Sequence, residues 1–129
     1  MKKPIFTGAG VAIVTPFNHN GSINFSKFGE LIDFQLANGT DAIIVAGTTG
    51  ESPTLNPVEH SEVIHFAVKH TNGRVPVIAG TGSNDTGFAI EHSKQAKADG
   101  ADALLMVTPY YNKTSQRGLV KHYEAIAAA

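Results

Sequence analysis

Cysteine is absent from the 129 residues, which rules out a disulfide framework, a thiol nucleophile and a cysteine-ligated zinc site. Charge is sparse as well. Asp, Glu, Lys and Arg make up 16% of the chain and sum to −1, without the basic surplus that nucleic acid or an anionic membrane attracts. No apolar run approaches the ~20 residues of a membrane-spanning helix, and the basic start MKKPIFTG lacks the apolar stretch of a signal peptide. A soluble, cytoplasmic protein with no nucleic-acid or membrane partner is therefore expected. The 42% of apolar residues suffice for a core, and residues 1–129 read as a single domain.

What is present is a rhythm. Four short runs rich in Val and Ile, at Gly10–Phe17, Asp41–Gly47, Val75–Gly82 and Ala101–Pro109, alternate with longer helical patterns. The runs are almost continuously apolar, as strands of a parallel sheet covered on both faces are. Phe25, Phe28, Leu31, Ile32 and Leu36 form the stripe of a first helix closed by Asn38-Gly39. Asn56, Pro57 and Glu59 supply the cap, first-turn proline and capping-box carboxylate of a second. Asp85 or Asn84 can cap a third, ending near Asp99-Gly100, and Ser115 a fourth with Leu119, Val120, Tyr123, Ile126 and Ala127 on its apolar side. GTDAII at Gly39 and GADALL at Gly100 echo each other across 100 − 39 = 61 residues, two βα units of about 30 residues each. Four such units fit either a flavodoxin-like open sheet or the (β/α)4 half of a (β/α)8 barrel with strands in the order 1-2-3-4.

In both architectures chemistry gathers beyond the carboxyl ends of parallel strands. Those ends read TPF, GTTGES, GTGSND and TPYYN, crowded with hydroxyls, amides and glycines, while the opposite edge carries helix stops. The same residues also make good turns, which weakens any one loop as a signal but not all four together. A phosphate-binding Walker loop does not occur. Gly80 and Gly82 begin a G-x-G, but Asp85 stands where a dinucleotide fingerprint needs its third glycine. His60, His65 and His70 recur every five residues, which turns successive rings about 140° around a helix, so they cannot converge on a metal. Solvated helix histidines are expected there, with no metal and no cofactor. Thr48 and Thr49 are more pointed. Amides of a GTTG turn, where glycine allows close approach, can hold a small carboxylate. A threonine hydroxyl beside a phenol can pass a proton without becoming charged. Tyr110 and Tyr111 would face opposite ways if the strand stays extended; an aromatic anchor at a subunit contact is the expected part of Tyr110.

At these residues the chain resembles the dihydrodipicolinate synthase family, within the pyruvate-dependent class I aldolase and lyase superfamily that also holds N-acetylneuraminate lyase. The resemblance runs through GVAIVTPF, DAIIVAGTTGESPTL, RVPVIAGTGSNDT and TPYYNKTSQRGLVKHYEAIA, nearly the whole chain. It favours the barrel and implies a lyase of lysine biosynthesis. Pyruvate forms a Schiff base with a lysine, becomes an enamine and attacks aspartate semialdehyde. By the resemblance Thr48 is the hydroxyl of a proton relay, Thr49 helps hold pyruvate, and Tyr111 is the relay tyrosine contributed across a subunit interface.

The family's lysine-effector positions fall at Ser52, Pro53, His60, Asn84 and Tyr110, but Pro57 and Phe88 stand where lysine-inhibited members carry a histidine and a glutamate. Weak or no feedback inhibition is expected. The resemblance places the Schiff-base lysine on a sixth strand, and a second tyrosine and a carboxylate-binding arginine near a fifth. No lysine here occupies a matching position, and Lys113 is a poor substitute. These 129 residues alone are expected to be inactive, and, with barrel-facing side chains and edge strands uncovered, to self-associate. A sister aldolase of the superfamily, and a non-catalytic half-barrel scaffold or small-anion-binding module, are the alternative readings.

Overall fold

The computed structural model describes residues 3–129. Strand and helix alternate throughout: β1 (Gly10–Ala12), α1 (Phe25–Ala37), β2 (Ala42–Val45), α2 (Pro57–Thr71), β3 (Val77–Gly80), α3 (Thr86–Asp99), β4 (Ala103–Leu105) and α4 (Gln116–Ala127). A single 3-10 turn, Ser52–Thr54, precedes α2. All strands are parallel, in the order β1-β2-β3-β4. Right-handed crossovers that always step in one direction put every helix on the same face of the sheet. The packing agrees, since each helix touches the next one along. A sheet with helices on one face is an arc of a (β/α)8 barrel and excludes the open flavodoxin-like sheet, whose helices lie on both.

The helix ends follow local chemistry. Asn56 accepts from the amides of Val58 and Glu59 while the Glu59 carboxylate accepts from the Asn56 amide, a complete capping box ahead of Pro57. Asp85 caps α3 through the Phe88 amide, Ser115 caps α4 through the Gly118 amide, and Gly100 ends α3 in the left-handed region at φ 94°. Asn24, not singled out from sequence, caps α1 through the Lys27 amide.

The 61-residue echo is a repeated structural device. Asp41, just before β2, accepts from the Ala9 amide at 2.8 Å, and Asp102, just before β4, accepts from the Val77 amide at 2.8 Å. Each carboxylate satisfies an amide at the amino end of the preceding strand, where the ladder cannot.

The core lies between sheet and helices. Ile43 and Val45 of β2 and Val77 and Ala79 of β3 point toward Phe28 and Ile32 of α1 and Val63, Ile64 and Ala67 of α2, all buried. Phe66 packs against Phe25 and Phe28 with ring centroids 5.1 and 5.8 Å away. The alternate positions, Ile44, Ile78 and Leu105, face the helix-free side, where the first two are half-buried and Leu105 is exposed.

Three expectations change. The strands are shorter than their apolar runs and are covered by helices on one face only. On α4, Val120 and Ala127 turn to solvent. Between Leu119 and Ile126 the inward position belongs instead to His122, buried, with Nδ1 2.9 Å from the Thr86 hydroxyl at the start of α3.

Candidate active site

Parallel strands bring all four polar ends to one rim. The turn after β2 is its centre. Ala46 and Glu51 both adopt left-handed backbone, at φ 53° and 59°, a conformation that costs of order 1 kcal/mol or more for each residue with a side chain. Such a turn persists because its surroundings hold it. Glu51 donates its amide to the Thr48 carbonyl at 3.1 Å, and Ser52 to the Gly47 carbonyl at 3.3 Å. From the segment just beyond β1, the buried hydroxyl of Thr15 donates to the Gly50 carbonyl at 2.7 Å. The result leaves Thr48 and Thr49 exposed at the tip, between the buried Ala46 and the buried Gly50.

Glycines are needed here for proximity. A Cβ on Gly80 would lie 2.3 Å from the Ala46 carbonyl oxygen, and one on Gly82 would lie 2.3 Å from the Val107 amide. A Cβ on Gly50 would come within 3.2 Å of the Ala46 amide and the Ile13 carbonyl. Gly47 does not share this constraint, since its nearest atom would be Leu105 Cδ2 at 3.8 Å. Close approach in the GTTG turn therefore belongs to its second glycine, with Gly47 opening onto free space.

That space is a cleft of about 300 Å³ walled by Gly47, Thr48, Ser52, Pro53, Val107 and Tyr110, among others, none of them charged. The rim behind it is stitched by buried bonds. Thr81 donates its amide to the Leu105 carbonyl at 3.1 Å, and Ser93 donates its hydroxyl to that of Thr81 at 3.0 Å. Chemically the cleft offers a neutral hydroxyl from Thr48, a phenol from Tyr110 and an apolar wall, a setting for a small, partly polar molecule.

The other sequence candidates divide. Thr49 sits exposed beside Thr48 on the turn but is not part of the cleft wall. Tyr111 does not alternate with Tyr110 in an extended run. The strand has already ended at Leu105, Tyr111 takes left-handed backbone at φ 70°, and its side chain is fully exposed. Asn84 lies in the loop after β3, where its carbonyl accepts from Asn112 Nδ2 at 3.3 Å.

His60 is not solvated, as its place in the histidine series suggested. It is buried, with Nε2 2.8 Å from the Gly80 carbonyl, and its ring stacks on that of His92 with centroids 4.3 Å apart. Burial first, and the neighbouring His92 second, push the pKa of His60 below its ordinary value; burial does the same to His92. His65 lies 3.6 Å from an Asp99 carboxylate oxygen, and His70 bonds Asp33 at 2.9 Å. Asp33 also takes a guanidinium bond from Arg74 at 3.0 Å, and His70 and Arg74 together hold its carboxyl below the usual range. The three histidines thus go to three different partners. Among the described residues no group of three metal-ligating side chains gathers. No helix is long and apolar enough to cross a membrane among them either.

Sequence reasoning passed over His92 and Thr15. His92 carries no local signal. Thr15 does, as a hydroxyl closing an apolar run, but its partner is 35 residues away.

With this geometry in view, similarity to known proteins is specific. The model of the Dihydrodipicolinate synthetase family matches residues 5–129. A 4-hydroxy-tetrahydrodipicolinate synthase of Lachnoclostridium phytofermentans is 65% identical over 123 residues, 95% of this chain and 42% of that protein. The crystal structure of dihydrodipicolinate synthase from Aquifex aeolicus superposes with a TM-score of 0.92 at 53% identity, over 95% of this chain and 42% of the other. The chloride-inhibited synthase of Acinetobacter baumannii, complexed with pyruvate, gives 0.93 at 49% identity over 95% and 42%. The chain spans about two fifths of the length of each.

Proposed function

This chain belongs to the dihydrodipicolinate synthetase family, and from that premise we propose that the whole protein is a lyase joining pyruvate to aspartate semialdehyde. The observation that carries the reading is the Thr48–Thr49 turn: two hydroxyls held at the strand-end rim by a strained, anchored backbone, one of them in the wall of a small apolar cleft. In this reading pyruvate is held as a Schiff base by a lysine that residues 1–129 do not supply at a matching position. Thr49 and the turn amides steady its carboxylate. Thr48 relays protons as the imine becomes an enamine and the enamine attacks the aldehyde, a task that suits a group able to donate and accept while staying neutral. Residues 1–129 by themselves then form no covalent pyruvate adduct.

Tyr111 completes the relay from outside. A side chain wholly exposed on a left-handed backbone is held out from its own chain, which supports its entering the site of a neighbouring subunit in a homo-oligomer. Ser52, Pro53 and Tyr110 share the cleft wall, but His60 is committed to Gly80, and Pro57 and Phe88 supply neither an imidazole nor a carboxylate for a charge-assisted bond to an ammonium group. Feedback inhibition by lysine is accordingly weak. The test is kinetic. In the whole protein, Thr48→Val and Tyr111→Phe each lower kcat at least a hundredfold while the KM for pyruvate moves little. Wild-type turnover in Thr48→Val would overturn the reading.

A further inference from the structure

The turn that carries Thr48 and Thr49 is bounded by two residues in left-handed backbone and has only two internal amide–carbonyl bonds, Glu51 to Thr48 and Ser52 to Gly47. Its link to the neighbouring strand is a side chain. Thr15 lies beyond the last residue of β1, is 4% exposed, and donates its hydroxyl to the Gly50 carbonyl over 2.7 Å. The ladder between β1 and β2 ends just before it, where the Ile13 amide meets the Ile44 carbonyl at 3.0 Å. Thr15 takes over where the ladder stops. Gly50 packs so closely on Ile13 and Ala46 that an added methyl group would press on their backbones at 3.2 Å, so the carbonyl that Thr15 holds belongs to the tightly packed part of the turn.

We infer that Thr15 is a positioning residue for the proposed reaction: its buried bond to Gly50 sets the height and tilt at which the turn presents Thr48 and Thr49 to the cleft. The inference rests on the role proposed above for Thr48. A β-branched residue suits the task, because its stiff side chain points the hydroxyl in one direction. Replacement by valine keeps the shape and removes the donor, leaving the Gly50 carbonyl buried without its partner. Small displacements of a proton-relaying group are amplified in rate, since proton transfer needs hydrogen-bond distances.

The experiment measures kcat and KM in the whole protein for Thr15→Val, Thr15→Ser, Thr15→Cys and Thr48→Val, with amide exchange at Glu51 and Ser52. Thr15→Val is expected to lose tenfold or more in kcat and to exchange faster at both amides. Thr15→Ser, which keeps the donor, stays within about threefold of wild type, and Thr15→Cys, a weak donor, falls between. Wild-type kcat in Thr15→Val with an impaired Thr48→Val would overturn the role of Thr15 alone, whereas wild-type kinetics in Thr48→Val would remove the reading beneath it. Should Thr15→Val not fold, equal kcat in the serine and cysteine variants would overturn the inference.

Discussion

His60 donates its Nε2 proton to the Gly80 carbonyl over 2.8 Å, joining the buried side of α2 to the last residue of β3. Because a carbonyl can only accept, the bond sets the tautomer, and stacking on His92 leaves the pair two adjacent rings that resist charge.

Their pH dependence has a definite sign. Both rings have folded pKa values below the ordinary histidine value of 6.5, His60 through burial and then His92, and His92 through burial. The unfolded chain therefore takes up protons that the folded one refuses. Stability from these groups is complete above about pH 6.5 and falls as the pH drops through that value toward the folded pKa values. Denaturant midpoints measured between pH 8 and 5 should show this loss. Replacing His92 with leucine should raise the pKa of His60, read from its ring proton shifts. An unchanged His60 titration would contradict the account.

Two glycines on the same rim should respond very unequally to a methyl group. Gly80→Ala places a Cβ 2.3 Å from the Ala46 carbonyl oxygen and should cost on the order of 3 kcal/mol in urea unfolding. Gly47→Ala meets nothing nearer than 3.8 Å and should cost less than about 1 kcal/mol while narrowing the cleft. Equal losses would mean that the two backbones can part.

The paired aspartates should differ by burial. Asp102 meets the Val77 amide in a partly buried position, whereas Asp41 meets Ala9 in an exposed one. Asp102→Ala should cost about 1–2 kcal/mol, and Asp41→Ala less, because water can replace the lost bond at the exposed site. Thermal or chemical unfolding of the two variants under one condition decides it.

At Tyr111 stability and activity should part company. Glycine there removes a left-handed residue with a side chain at φ 70° and loses no packing, since the side chain is fully exposed. In residues 1–129 by themselves, where no neighbouring subunit receives the ring, Tyr111→Gly should gain up to about 1 kcal/mol in stability. On the proposed function it should also abolish turnover in the whole protein. A destabilised variant would mean the ring packs on something.

What could be read from residues alone was whatever short-range chemistry decides. Asn56, Pro57 and Glu59 specify a helix start within four residues, as do Asp85 and Ser115, because a cap bonds amides two or three positions away. The alternating runs brought Thr48, Thr49, Tyr110 and Tyr111 to one rim, since parallel strands share a direction. His60 was misjudged for a matching reason. Period and polarity place it on a helix, but whether it is wet depends on the strand that covers it.

The tertiary structure alone decided that Thr15 would hold Gly50, that His60 would hold Gly80, and that Tyr111 would stand exposed on a left-handed backbone. These bonds and burials join residues 20 and 35 positions apart, so no local pattern encodes them. Sequence by itself determined the order and direction of the elements, through caps and hydrophobic runs. Packing determined which polar groups lost their water, because desolvation depends on what comes to lie on top of them.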